Sequence, residues 1–217
     1  MKTKIILNKK IVIGFSLLFL FFVVQFYPIV ETVIAASATD NVIVTLDVTT
    51  GITISDGADA TMSPNLGVTS DQSIGNSSWI VKTNAALGYT LAVKASTTPA
   101  LKNGVVDSFA DYTEVVAGTP EVWSVGSGDK EFGYSAYGTD TATATWGTSA
   151  SCGASGVPAV AQKYVGFLLT DKTIATRATV TPNAGITTTI CFAAQQNAVF
   201  AASGTYTATI TATALTL

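Results

Sequence analysis

The most regular stretch of the chain is Thr205–Leu215, TYTATITATAL. Tyr206, Ala208, Ile210, Ala212 and Ala214 fall on one face, and Thr205, Thr207, Thr209, Thr211 and Thr213 on the other. This period of two predicts a β-strand with one apolar face. Slipping it by one residue would exchange the faces, so its register should be firm. Its length suggests a central, sheet-long element. Asn41–Thr49 alternates as strictly, with Val42, Val44, Leu46 and Val48 opposite Ile43, Thr45 and Asp47. Gly88–Ala95 places Tyr89, Leu91 and Val93 on one face, and with Trp79–Thr83 it suggests a hairpin around residues 84–87. Shorter strands are predicted at 51–55, 60–63, 112–116, 122–125, 131–134, 163–169, 173–180 and 185–192. Gly, Ser and Asp concentrate at 55–59, 67–78, 126–129 and 147–156, which read as loops. Helical periodicity is weak, with at most a turn at 159–164. Many short strands separated by turn residues predict an all-β fold, a single antiparallel β-sandwich of Ig-like or Greek-key type spanning 39–217.

The first 38 residues have another pattern. Lys2, Lys4, Lys9 and Lys10 precede an unbroken apolar run, Ile11–Val24, and Ala36-Ser37-Ala38 follows. A basic start, an apolar middle and a small-residue end is the order of a secretory signal peptide. Cleavage before Thr39 is expected. The rival reading is a retained anchor, because Ile11–Val30 is long enough to span a bilayer. Either way the mature part is expected to be secreted or at the cell surface, with the membrane touched only through this segment if it is uncleaved.

Composition narrows the chemistry. The chain has 217 residues, 12% of them charged, a formal net charge of −3 and no histidine. The missing histidine excludes Ser-His, Cys-His and His-metal mechanisms within this chain. Without the first 38 residues, seven cations remain against thirteen acids, a formal net charge of −6. That balance argues against nucleic acid as a partner. Threonine, which suits a half-buried pleated surface, occurs 32 times beyond residue 38.

Cys152 and Cys191 are the only cysteines. Export places them in an oxidising compartment, so a structural disulfide is expected. Asp56-Gly57-Ala58-Asp59 lacks the alternating-acid pattern of a calcium loop and reads as a turn. Asp107, Asp111 and Glu114, and separately Glu121, Asp129 and Glu131, lie close in sequence. A glycosidase needs two carboxyls flanking a sugar, yet the simpler reading of both groups is solvated loop charge. No nucleophile motif or phosphate loop is present, and no catalytic residue, metal or cofactor is expected. Trp123, Phe132, Tyr134, Tyr137 and Trp146 crowd the middle of the chain. Trp123 and Phe132 read as core. Tyr137 and Trp146 sit amid loop residues and could contact a ligand by sugar stacking.

The export signal, the Thr/Ala-rich strands, Ser203–Thr209 and Trp123-Ser124-Val125 resemble bacterial surface proteins of the WxL-like and fimbrial β-sandwich type. In size and export the chain also resembles camelysin/TasA-like matrix-fibre subunits. A WxL domain carries two Trp-x-Leu motifs; here Val125 and Thr148 stand in the Leu positions. The WxL resemblance implies peptidoglycan binding; the export signal, the absence of catalytic constellations and the long Thr/Ala strands predict a non-enzymatic role in adhesion, wall coating or self-assembly, with itself or cell-wall glycan as partner. Asn41–Thr49 is either the first strand of its own domain or a donor strand that pairs with a neighbour's sheet. The alternative function is a secreted carbohydrate-binding module using exposed aromatics.

Overall fold

The computed structural model describes residues 38–217; the signal segment lies outside these residues except for Ala38. The described part is almost entirely β. Its strands are β1 (Ile52–Ile54), β2 (Gln72–Thr83), β3 (Tyr89–Ala95), β4 (Lys102–Asn103), β5 (Asp107–Ser108), β6 (Ala110–Asp111), β7 (Glu121–Val122) and β8 (Lys130–Gly138). After one helical turn, α1 (Thr143–Trp146), come β9 (Gly153–Ala154), β10 (Val157–Pro158), β11 (Lys163–Gly166), β12 (Lys172–Arg177), β13 (Ile186–Gln196) and β14 (Ile210–Thr216). The larger sheet runs β1-β2-β13-β8-β11-β7, and the smaller runs β12-β3-β14. Pairing is antiparallel throughout except for β6, which lies parallel to β8. Two small hairpins, β4–β5 and β9–β10, complete the set.

Alternation explains how the two sheets come together. Tyr89, Leu91 and Val93 of β3 turn to one side and are buried, as the period-two pattern predicts. Trp79 and Val81 of β2, Phe132, Tyr134 and Ala136 of β8, Ile174 of β12, and Ile190, Phe192 and Ala194 of β13 join them in one cluster. Ile210, Ala212 and Ala214 of β14 pack on its margin. Aromatic rings fill the volume that alanine and threonine leave open: Phe167 lies 4.4 Å from the Tyr134 ring and 5.2 Å from Phe132. A buried polar tie adds to this packing. The Asp140 carboxylate accepts hydrogen bonds from Tyr89 Oη (2.8 Å) and Arg177 Nη1 (3.2 Å), joining β3 and β12 to the turn after β8. Burial, with Asp140 alongside, pushes the Tyr89 hydroxyl pKa up.

The opposite face of the larger sheet is covered by loops. Cys191 and Ala193 of β13 form a second cluster with Tyr112, Val125, Cys152 and Tyr164. Cys152 and Cys191 are disulfide-bonded, with Cα atoms 5.2 Å apart, and the bond pins the 147–162 loop to β13. The Tyr164 hydroxyl donates to the Cys152 carbonyl at 3.3 Å.

Several predicted elements differ. Residues 38–51 contain no strand, so Asn41–Thr49 is not the first strand of this fold. Trp79–Thr83 and Gly88–Ala95 are strands but not a hairpin, because β2 and β3 belong to different sheets. Gly88, at φ +81°, turns the chain from one sheet to the other; a Cβ there would meet the Arg177 carbonyl. The expected loop at 67–78 is largely the first half of β2. Its inward positions are Ser73, Gly75 and Ser77, small residues that admit the 57–63 segment against them. Trp79 likewise abuts Gly57, where any side chain would strike the indole.

Residues 60–63 contribute only a bridge at Ser63, 112–116 form no strand, and 159–164 form no helix. The final strand begins at Ile210, because upstream Thr207 exchanges hydrogen bonds with Lys102 instead. It lies at a sheet edge rather than at the centre.

Leu91, fully buried at the centre of the smaller sheet, should be among the costliest truncations. Leu91→Ala is expected to lower unfolding free energy by about 2–5 kcal/mol in urea melts. A loss under about 1 kcal/mol would contradict the packing described.

Candidate functional site

The acidic residues are bound into the loops that carry them. Asp107 accepts from the Lys130 ammonium, from Tyr206 Oη at 2.6 Å and from the Ala202 amide at 2.8 Å. The Lys130 contact is the main reason its pKa is held below the usual carboxylate range. Burial and Asp107 together push Tyr206 up to about 12. Asp111 accepts from the Thr98 hydroxyl and the Ala100 amide. Glu114 caps the amides of Gly118 and Gly166, and Glu121 takes the Val115 amide and the Tyr112 hydroxyl. Burial raises the Glu131 pKa although the carboxylate accepts from the Thr113 amide. The Asp129 carbonyl accepts from the Asn197 amide. These acids staple the 98–131 region to the sheet. Asp56 and Asp59 are exposed in a segment without regular structure whose Ala58 carbonyl accepts from Ser77 Oγ. Among the described residues no three His, Cys, Asp or Glu side chains gather as metal ligands.

The aromatic candidates separate. Trp146 is 2% exposed and packs in the core 5.6 Å from the Tyr134 ring, so it presents no ring face to a ligand. Its place at the end of α1, folded against the sheet, turns the side chain inward. Trp123 is half-buried, stacked on Tyr112 at 4.5 Å, with its indole N–H donated to Gln195. Tyr137 is half-buried on the outer face of β8, beside an open cleft lined also by Thr61, Ser63 and Asn76.

The most unusual surface is apolar. Val42, Val44, Leu46 and Val48 are 83%, 88%, 83% and 76% exposed, in a segment without regular structure. Isolated exposed apolar residues are ordinary, but four in strand alternation are not. The chain entering β1 is gripped by a residue that the sequence marked only as part of a turn. Asn84 donates its side-chain N–H to the Thr49 carbonyl (2.8 Å) and accepts from the Gly51 amide (2.7 Å).

A sheet edge without a ladder partner, flanked in part by β1, completes the picture. β14 pairs with β3 alone. Ser96 N bonds to Thr209 O, and Leu217 N to Gly88 O. In an antiparallel ladder this directs the main-chain groups of residues 209, 211, 213, 215 and 217 toward β3. Those of Ile210, Ala212, Ala214 and Thr216 point outward, where no strand of the described residues pairs with them. β1 lies alongside but bonds to β2, so the two sheets meet there without a ladder. By contrast, the outer edge of β2 is covered: Ser55 bonds to Ile80, and Ser63 to Ile74.

Compared with protein-family models, with curated proteins and with solved structures, the chain gives no match.

The Asp107 cluster makes a pH-dependent prediction. A carboxylate with a lowered pKa adds stability above its ordinary pKa, near 4, and loses that contribution as pH falls further. Asp107→Asn should therefore cost about 2 kcal/mol at pH 7. The gap from wild type should narrow steadily once pH drops below about 4 in urea titrations. A gap independent of pH would remove the charged pair as its cause.

Proposed function

We propose that this chain is an exported, non-enzymatic β-sandwich protein of the cell surface or extracellular matrix that self-assembles by β-strand addition. Residues 41–49 of one copy would pair along the outer edge of β14 in the next. The observation that carries this reading is the exposure of Val42, Val44, Leu46 and Val48 in an unpaired segment with strand alternation. The two sheets sharing one apolar core support the sandwich. The basic–apolar–small order of residues 1–38 supports export. The engagement of nearly every candidate carboxylate in loop hydrogen bonds supports a structural role over hydrolysis.

The energetics suit assembly. Burying one Val or Leu side chain is worth about 1.5–3 kcal/mol. The donor's main chain would also satisfy the outward N–H and C=O groups of Ile210, Ala212, Ala214 and Thr216. Exposed edges invite such pairing. Donor and acceptor are different surfaces, so the contact is head-to-tail and propagates as an open fibre unless the rotation closes a ring. The Asn84 grip on Thr49 and Gly51 would fix where the donor leaves the domain. The resemblance to fimbrial and matrix-fibre subunits agrees with this role.

Two variants test the two halves of the contact. Deleting residues 39–47 removes the donor and leaves the Asn84 grip. Ala214→Pro removes one outward N–H without touching the ladder to β3. Each alone should form no fibres in negative-stain microscopy, with far-UV circular dichroism unchanged. An equimolar mixture should stop at short complexes, since each partner supplies only one half. Fibres from the deletion variant, or none from the intact mature chain at high concentration, would refute the proposal.

A further inference from the structure

We infer that the cleft beside Tyr137 is a binding site for a neutral glycan. It opens on the loop-covered side of the larger sheet, beside the disulfide, and has a volume of about 470 Å³. Ligand sites commonly occupy several hundred Å³. Its walls are Thr61, Ser63, Tyr137, residues 74–76 of β2 and residues 150–156. None of the lining residues is charged.

Ser151 Oγ accepts from the Gly153 amide, and the other side-chain polar groups here face solvent. Among the described residues, the Tyr137 hydroxyl, the Asn76 amide and the hydroxyls of Thr61, Ser63 and Ser155 bond to no other protein group. They offer both donors and acceptors. An aromatic ring with adjacent amide and hydroxyl groups matches a sugar: the ring takes the apolar C–H face, and the polar groups exchange hydrogen bonds with the hydroxyls. The lining holds no cation for an anionic ligand and no acid for a basic one. A chain of net negative charge also repels polyanions. An extended peptide finds no free edge, because Ser63 and Ile74 already exchange backbone hydrogen bonds at 2.8 and 3.1 Å.

The walls are held before any ligand arrives. Cys152, in one wall, is disulfide-bonded to Cys191, which stands between Asn76 and Ser135 in the register of β13. The β9–β10 turn sets Ser155 at φ +51° and packs Gly156 against the Pro64 ring. Preorganised walls lower the entropic cost of binding.

The inference stands apart from strand addition, and its test is read on protein that need not polymerise. The variant lacking residues 39–47 is titrated by NMR with soluble tetrasaccharides of β-1,4-glucose, β-1,4-N-acetylglucosamine and α-1,6-mannose. Binding of at least one, with shifts centred on Tyr137, Asn76 and Ser155, is expected. Tyr137→Ala should weaken it by at least about tenfold, and Tyr137→Phe, which keeps the ring face, by only a few-fold. Asn76→Ala, at an exposed position, provides a second reading should Tyr137→Ala fail to fold. No shifts with any of the three at millimolar concentration would overturn the assignment. So would affinity unchanged by Asn76→Ala and the Tyr137 variants, or a preference for a charged oligosaccharide or a peptide. Fibres of the full mature chain should be unaffected by Tyr137→Ala.

Discussion

The fold depends on β13. It is paired along its length on both sides, from Ile186 to Gln195 against β2 and from Thr188 to Gln196 against β8. Its alternate residues serve opposite faces. Ile190, Phe192 and Ala194 enter the core shared with the smaller sheet, while Cys191 and Ala193 hold the loops on the other side. A strand covered on both faces admits no register shift, since one step would carry Cys191 into the core and Phe192 under the loops. The disulfide therefore acts on an element already fixed, and what it restrains is the 147–162 loop.

Around that strand, charge and apolar surface are distributed unequally. Asp107 with Lys130, Asp140 with Arg177, and the Glu114 and Glu121 caps draw loops and strand ends together. Each is partly or wholly shielded, and each carboxylate accepts from more than one donor, so the cost of removing it from water is largely offset. A protein with few charges spends them on stapling its long loops. Its remaining polar surface is largely hydroxyl and amide, interspersed with exposed acids such as Asp56 and Asp59.

Legibility in the sequence followed the source of the signal. β3 was readable because Tyr89, Leu91 and Val93 face a single core against solvated alternates, the condition under which period two appears. The smaller sheet's last strand was readable in register but not in position, because alternation is the same at an edge as at a centre. The start of β2 was hidden because Ser73, Gly75 and Ser77 are small for the sake of the segment lying over them, and small polar residues resemble a loop. Trp146 was ambiguous because its neighbours in sequence are turn residues, while its burial comes from β8 and β11 on either side of them. The roles of Asp107 and Glu114 rest on partners up to 99 residues away, which spacing could not reveal.

The segment before β1 tests the meaning of alternation most severely. A strand pattern reports only that a stretch is suited to pair on a pleated surface with one apolar side; it does not say whose surface. In Tyr89–Ala95 that suitability is met within the chain. In Asn41–Thr49 it is unmet, although the chain downstream is fixed by Asn84 and β14 carries outward main-chain groups that join no ladder. The domain's own core is filled by Phe132, Tyr134, Phe167 and Phe192. In the proposed assembly another chain would supply the partner strand, and the same physical rule that builds the domain would then also join its copies.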